Sequence, residues 1–196
     1  MTSRIALLST ATALLLAMPA LAQTAPGAAP KQVANTPAAA ERLSKQDQNF
    51  AKDAAIGGMA EVELGKLAQQ NAQSDQVKQF GQRMEQDHSK ANDQLKSIAQ
   101  AENIQLPQQL DKKHQELLDR LGRLHGAAFD RAYMSDMVKD HNEDIKAFRR
   151  EAQDGRDQQL KQFAAQTLQV IEQHDKMAKD VDRSLTATGS SRHPRE

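Results

Sequence analysis

The chain has 196 residues, no cysteine and no tryptophan, and its 26 basic side chains balance 26 acidic ones. Without cysteine there is no disulfide framework and no thiolate chemistry. A neutral charge balance without a basic patch excludes nucleic acid as the expected partner.

Residues 1–22 read as a signal peptide: Arg4, the apolar run Ile5 to Met18, then Ala20-Leu21-Ala22 before Gln23. The apolar run ends at Pro19, short of the roughly 20 residues that a bilayer-spanning helix requires. Cleavage after Ala22 and release into the periplasm without a transmembrane anchor are therefore expected. With Arg4 removed, the 26 basic residues become 25 against 26 acidic ones. No cysteine follows the cleavage point to carry a lipid. Residues 23–43 are Ala-rich and broken by Pro26, Pro30 and Pro37, the composition of a disordered linker.

The folded domain is expected over residues 44–185. It opens at Ser44-Lys45-Gln46-Asp47, which resembles a capping box. Beyond it, apolar residues recur at helical spacing. Phe50, Ala54, Gly57, Glu61, Leu64 and Ala68 form the first stripe, which polar Asn71 to Asp75 interrupts. Val77, Phe80, Met84, His88, Ala91, Leu95 and Ile98 form the second, ending near Glu102-Asn103. Pro107 is placed to open a shorter helix carrying Leu110, Leu117, Leu121 and Leu124, and Gly126 to stop it.

The third main helix carries Phe129, Tyr133, Met137, His141, Ile145 (or Asp144), Phe148 and Ala152, and stops at Asp154-Gly155. The fourth carries Leu160, Phe163, Thr167, Ile171, His174, Met177 and Val181. Gly189-Ser190-Ser191 and Pro194 mark residues 186–196 as a disordered tail. Two tight helix pairs joined by one long helical connection make an all-α fold, a ferritin-like four-helix bundle with a crossover between helices 2 and 3.

Four polar residues interrupt the stripes, one per main helix: Glu61, His88, His141 and His174. Burying such groups is costly unless each is partnered. Counted from the turns, they lie at a similar depth, about four to five helical turns away. Three imidazoles with a carboxylate suit zinc, iron, copper or nickel, so these four are the candidate ligands of a transition-metal ion.

A second pattern is an echo. Met84-Glu85-Gln86-Asp87-His88 and Met137-Val138-Lys139-Asp140-His141 share Met-x-x-Asp-His, with Phe80 and Tyr133 each four residues ahead. Adjacent helical positions diverge by about 100°, so Asp87 and Asp140 are expected to reach across to a histidine on another helix and orient it. Glu85, in Glu85-x-x-His88, is a third candidate for this supporting role. The full di-iron pattern is incomplete, since Ile171 stands where the last helix would need a Glu. Met84, Met137 and Met177, one turn from the histidines, read as core filling rather than soft copper ligands. His114 and His125 read as surface residues.

Together Gly57-Gly58-Met59-Ala60-Glu61-Val62-Glu63-Leu64-Gly65-Lys66-Leu67-Ala68, Met84 with Asp87-His88, Leu106-Pro107, Phe129-Asp130-Arg131-Ala132-Tyr133, Asp140-His141 and His174 resemble the domain-of-unknown-function 4142 family. The resemblance spans roughly Asp47 to Val181 and implies an exported ferritin-like bundle of the bacterial envelope, with no implied activity. Three readings follow. The first is a periplasmic metal-binding bundle in metal handling or in protection against oxidants and envelope stress. The second is a non-enzymatic envelope protein acting through its helical surface, with the core histidines only hydrogen-bonded. The third is a redox enzyme. A protein partner and self-association are both left open.

Overall fold

The computed structural model describes residues 43–190. The expected signal peptide, the linker up to residue 42 and the tail from residue 191 lie outside the described residues. Five helices follow one another: α1 (Lys45–Asn71), α2 (Asp75–Ala101), α3 (Lys112–Gly122), α4 (Gly126–Asp154) and α5 (Gln158–Ser190). Helix α5 thus continues past Leu185, where the apolar pattern ends. Among the described residues no helix is long and apolar enough to cross a membrane.

Local chemistry sets the helix ends. At α1 the capping box is complete: Ser44 Oγ accepts from the Asp47 amide, and Asp47 accepts from the Ser44 amide. At the end of α2, Asn103 turns left-handed at φ 56° and the Ile104 amide donates to the Ala99 carbonyl at 2.8 Å. That is the six-to-one bond of a Schellman stop. Two boundary expectations are corrected. Pro107 does not open a helix but lies in the irregular stretch before α3, where Asp111 caps the helix by accepting from the His114 amide. Gly126 does not stop α3, which ends at Gly122; with φ +60° it begins α4.

Contacts along the helices define the topology. Antiparallel α1 and α2 meet at Glu61–His88 and Gln69–Glu85, and antiparallel α4 and α5 at Arg149–Glu172 and Asn142–Lys179. Gln46–Glu151 with Glu61–His141 makes α1 antiparallel to α4, and Asp87–His174 with Gln94–Gln166 makes α2 antiparallel to α5. Helices α2 and α4 therefore run in the same direction, and the connection through α3 must return along the bundle. One long crossover between two antiparallel helix pairs is consistent with a ferritin-like connectivity.

The apolar core is divided in two. One cluster holds Phe50, Ala55, Leu95, Ile98, Phe148, Leu160, Phe163 and Ile171; the other holds Leu64, Val77, Phe80, Met84, Phe129, Tyr133, Met137 and Ala178. In every main helix the residue between the two groups is polar: Glu61, His88, His141, His174. Next to this layer α1 and α2 approach closely at Gly65 and Gly81, where a Cβ on Gly65 would sit 2.6 Å from the Gly81 carbonyl oxygen. Met177 is a correction, since it is exposed. The inward stripe of α5 steps by four from His174, to Ala178, rather than by three.

Candidate metal centre

All four candidate ligands are buried in one layer, His141 and His174 completely. The ring centroids of His88, His141 and His174 are 5.2 to 6.1 Å apart. Each ring offers one nitrogen such that the three nitrogens lie within 4.8 Å of one another. Donors around a tetrahedral ion at zinc–nitrogen distances near 2.05 Å are about 3.3 Å apart, so small side-chain movements close the group on an ion.

Each ring is held by its other nitrogen. His141 Nδ1–H donates to the Met137 carbonyl at 3.0 Å, and His174 Nε2–H donates to Asp87 Oδ2 at 2.9 Å. His88 Nδ1 lies 2.8 Å from Glu61 Oε2, to which it donates when Glu61 is ionised. These anchors leave His88 Nε2, His141 Nε2 and His174 Nδ1 buried without a hydrogen-bond partner, together with Glu61 Oε1 and the Tyr133 hydroxyl. A buried polar atom without a partner costs on the order of 1–3 kcal/mol. The three ring nitrogens and the hydroxyl concentrate that cost in one layer, while Glu61 shares a side-chain hydrogen bond with Asp144. A carboxylate or carbonyl behind an imidazole whose other nitrogen is free is the usual support of a metal-bound histidine.

The electrostatics favour neutral rings. Burial lowers His88 to about 4, against the opposing pull of Asp144, Asp87 and Asp140. Burial, then the two neighbouring imidazoles, lowers His141 to about 3. Burial lowers His174 to about 4, although Asp87 acts the other way. Neutral imidazole is the ligand form. On the acidic side, burial and then Asp140 push Glu61 well above its ordinary value, and burial and then Glu61 do the same for Asp144. Burial tends to raise Asp87 as well, but Arg83 and His174 outweigh it and hold it low. Asp87 is therefore ionised where it meets His174.

The supporting residues divide. Asp87 reaches across from α2 to His174 on α5, as its spacing predicts. Asp140 differs from its expectation: the histidine it groups with is its own neighbour His141, together with Glu61, the donors lying within 4.8 Å of one another. Glu85 meets no histidine; its carboxylate accepts from Gln69 Nε2 at 2.7 Å. His125 is exposed, and His114 is half-buried with Nδ1 2.6 Å from Asp111. Helical spacing leaves Asp144 only an alternative to Ile145 and counts the Tyr133 ring as one more position of the apolar stripe. Asp144 adjoins Glu61. Tyr133 stacks on Phe129 at 5.3 Å while its hydroxyl remains unpartnered, and burial followed by Glu61 raises its pKa. The one available signal was that Tyr133 is the only tyrosine in the chain.

The Met-x-x-Asp-His echo has a geometric basis. Because α2 and α4 run in the same direction, the same pentapeptide places Met84 and Met137 in the same apolar cluster and His88 and His141 one turn on, in the polar layer.

Fold and layer together define a helical bundle whose apolar core is interrupted by a buried imidazole–carboxylate group. The chain belongs to the family described as Domain of unknown function (DUF4142), whose model matches residues 32–181. No curated protein matches the sequence. Among solved structures it resembles a DUF305 fragment from Deinococcus radiodurans, with a TM-score of 0.64 and 11% identity over 72% of this chain and 98% of that one. It also resembles a Streptomyces coelicolor DUF305 protein described as secreted, with a TM-score of 0.61 and 12% identity over 72% and 94% of the two chains. At these identities the likeness is one of fold.

Proposed function

We propose that the polar layer is a transition-metal centre of an exported, periplasmic bundle that serves metal handling or protection against oxidants and envelope stress. His88 Nε2, His141 Nε2 and His174 Nδ1 are the nitrogen ligands. Glu61 orients His88 through Oε2 and turns Oε1 toward the ion. Asp87 orients His174. The observation that carries this reading is that three buried imidazoles each have one nitrogen anchored and the other unpartnered, within a few ångströms of each other. Export rests on the Arg4 to Ala22 pattern and predicts a mature chain starting at Gln23 in the soluble periplasmic fraction. Recovery in washed membranes with Met1 retained would contradict it.

The test is to purify the protein without an affinity tag, measure its metal content, strip it with chelator and titrate zinc, iron, copper and nickel against thermal unfolding. An ion that binds only the folded state, at a hundred times its dissociation constant, adds roughly 2.7 kcal/mol. That corresponds to a rise of several degrees in melting temperature, which His88→Leu and His141→Leu should abolish. Native protein without metal, and no shift with any of the four ions, would leave the histidines as a polar core and favour action through the helical surface.

A further inference from the structure

The proposed centre of three imidazoles and Glu61 leaves Asp140 unused. Glu61 Oε1 lies 3.7 Å from His141 Nε2, and both atoms are buried without a hydrogen-bond partner. Asp140 completes a second triad with them, whose donor atoms all lie within 4.8 Å of one another. Asp140 also has a solvent side, because it lines the cleft between α3 and α4 with Lys113, Glu116, Asp136 and Glu143. The two triads share His141. Its Nδ1 is committed to the Met137 carbonyl, so it has a single lone pair, on Nε2, and can ligate one ion at a time.

The donor sets differ in kind. Three imidazoles are borderline donors without charge and suit zinc, copper or nickel, whereas two carboxylates and one imidazole suit harder ions such as manganese(II). Two carboxylates also neutralise a divalent charge in full, whereas three neutral rings with Glu61 alone offset half of it, and a buried charge is costly unless it is paired.

We propose that Asp140 is a metal ligand and that Glu61, Asp140 and His141 form an oxygen-rich cation position beside the three-imidazole one. Through the shared His141, one divalent ion per chain occupies one position or the other according to its hardness. This rests on the metal-centre reading and adds a second ligand set to it.

The experiment titrates the stripped full chain with Mn2+, following free ion by its solution EPR signal, and then adds Zn2+. One Mn2+ per chain is expected, displaced in full by one Zn2+, with pulsed EPR of the bound Mn2+ detecting a single coupled imidazole nitrogen. Asp140→Asn should weaken Mn2+ at least tenfold more than Zn2+, and His174→Gln should weaken Zn2+ at least tenfold more than Mn2+. The competition and the nitrogen count use the unmutated protein, so they stand even if a variant fails to fold. Zn2+ binding without Mn2+ binding overturns the second position and leaves the metal centre standing. Both ions bound together at two per chain, three nitrogens coupled to Mn2+, or variants that weaken both ions alike also overturn it. Binding of neither ion overturns the second position, and the centre itself falls only if iron, copper and nickel also fail to bind.

Discussion

The ends of the bundle and its middle both bury acids, and they treat them in opposite ways. At one end Asp130, on α4, accepts from the Gln73 and Ser74 amides at 3.0 and 2.9 Å, fastening the α1–α2 turn. At the other, Asp47 accepts from the Ser44 and Arg156 amides at 2.9 and 2.8 Å, fastening the α4–α5 turn to the start of α1. In each, both carboxylate oxygens are taken by backbone donors. In the middle layer Glu61 uses one oxygen and each histidine one nitrogen. Burial alone therefore does not mark a functional group; unused hydrogen-bonding capacity does.

The largest effect should come from breaking a satisfied end. Asp130→Ala leaves the part-buried Gln73 and Ser74 amides without their carboxylate acceptor, and the expected loss is on the order of 2–3 kcal/mol. Chemical denaturation would show this as a lower midpoint with an unchanged slope. A loss below about 1 kcal/mol would remove the distinction between ends and middle.

Glu151 is an intermediate case. It is buried and accepts from Gln46 Nε2, yet its Oε1 has no partner. Burial, opposed by Gln46 and aided by Asp47, raises it to about 7 from 4.5. The folded pKa lies above the unfolded one, so the folded state favours the protonated acid. That contribution is intact below pH 4.5, is lost as pH rises toward 7 and stays lost above it. Glu151→Gln mimics the protonated form. It should match wild type near pH 4.5 and exceed it by on the order of 2 kcal/mol at pH 8, read from melting temperatures across that range.

In the middle layer, metal-free His141→Leu should fold within about 1 kcal/mol of wild type, or more stably, because it removes a buried nitrogen with an unmet hydrogen bond and strands no side-chain partner. A loss above 3 kcal/mol in stripped protein would mean that the layer is satisfied as it stands. The smallest effect is expected at Gly57, where a Cβ would meet nothing within 4 Å. Gly57→Ala should stabilise by roughly 0.5–1 kcal/mol through helix propensity. Gly65→Ala should destabilise, since its Cβ would meet the Gly81 carbonyl.

Much of this was legible in the chain, for physical reasons. Stripes of period 3.6 set the four long helices and the inward direction of Glu61, His88, His141 and His174. The Ser44 box placed the first helix end. The start of α3 was misread because Pro107 satisfies the rule for a first helical position while Asp111, the residue that caps, carries no apolar signal. Asp144 and Ile145 both continue the His141 stripe, so spacing could not choose between them. The reach of Asp87 followed from its angle to His88. That of Glu85 did not, since Gln69 competes for it across the α1–α2 contact. The Tyr133 hydroxyl is invisible to periodicity, which counts the ring as apolar.

The most direct test of the metal layer is X-ray absorption at the zinc edge of the stripped chain reloaded with one equivalent of Zn2+. The account predicts a first shell of three imidazole nitrogens and at least one oxygen at about 2.0–2.1 Å, with His141→Leu losing bound zinc. Zinc that remains fully hydrated, or a shell with no imidazole contribution, would contradict it.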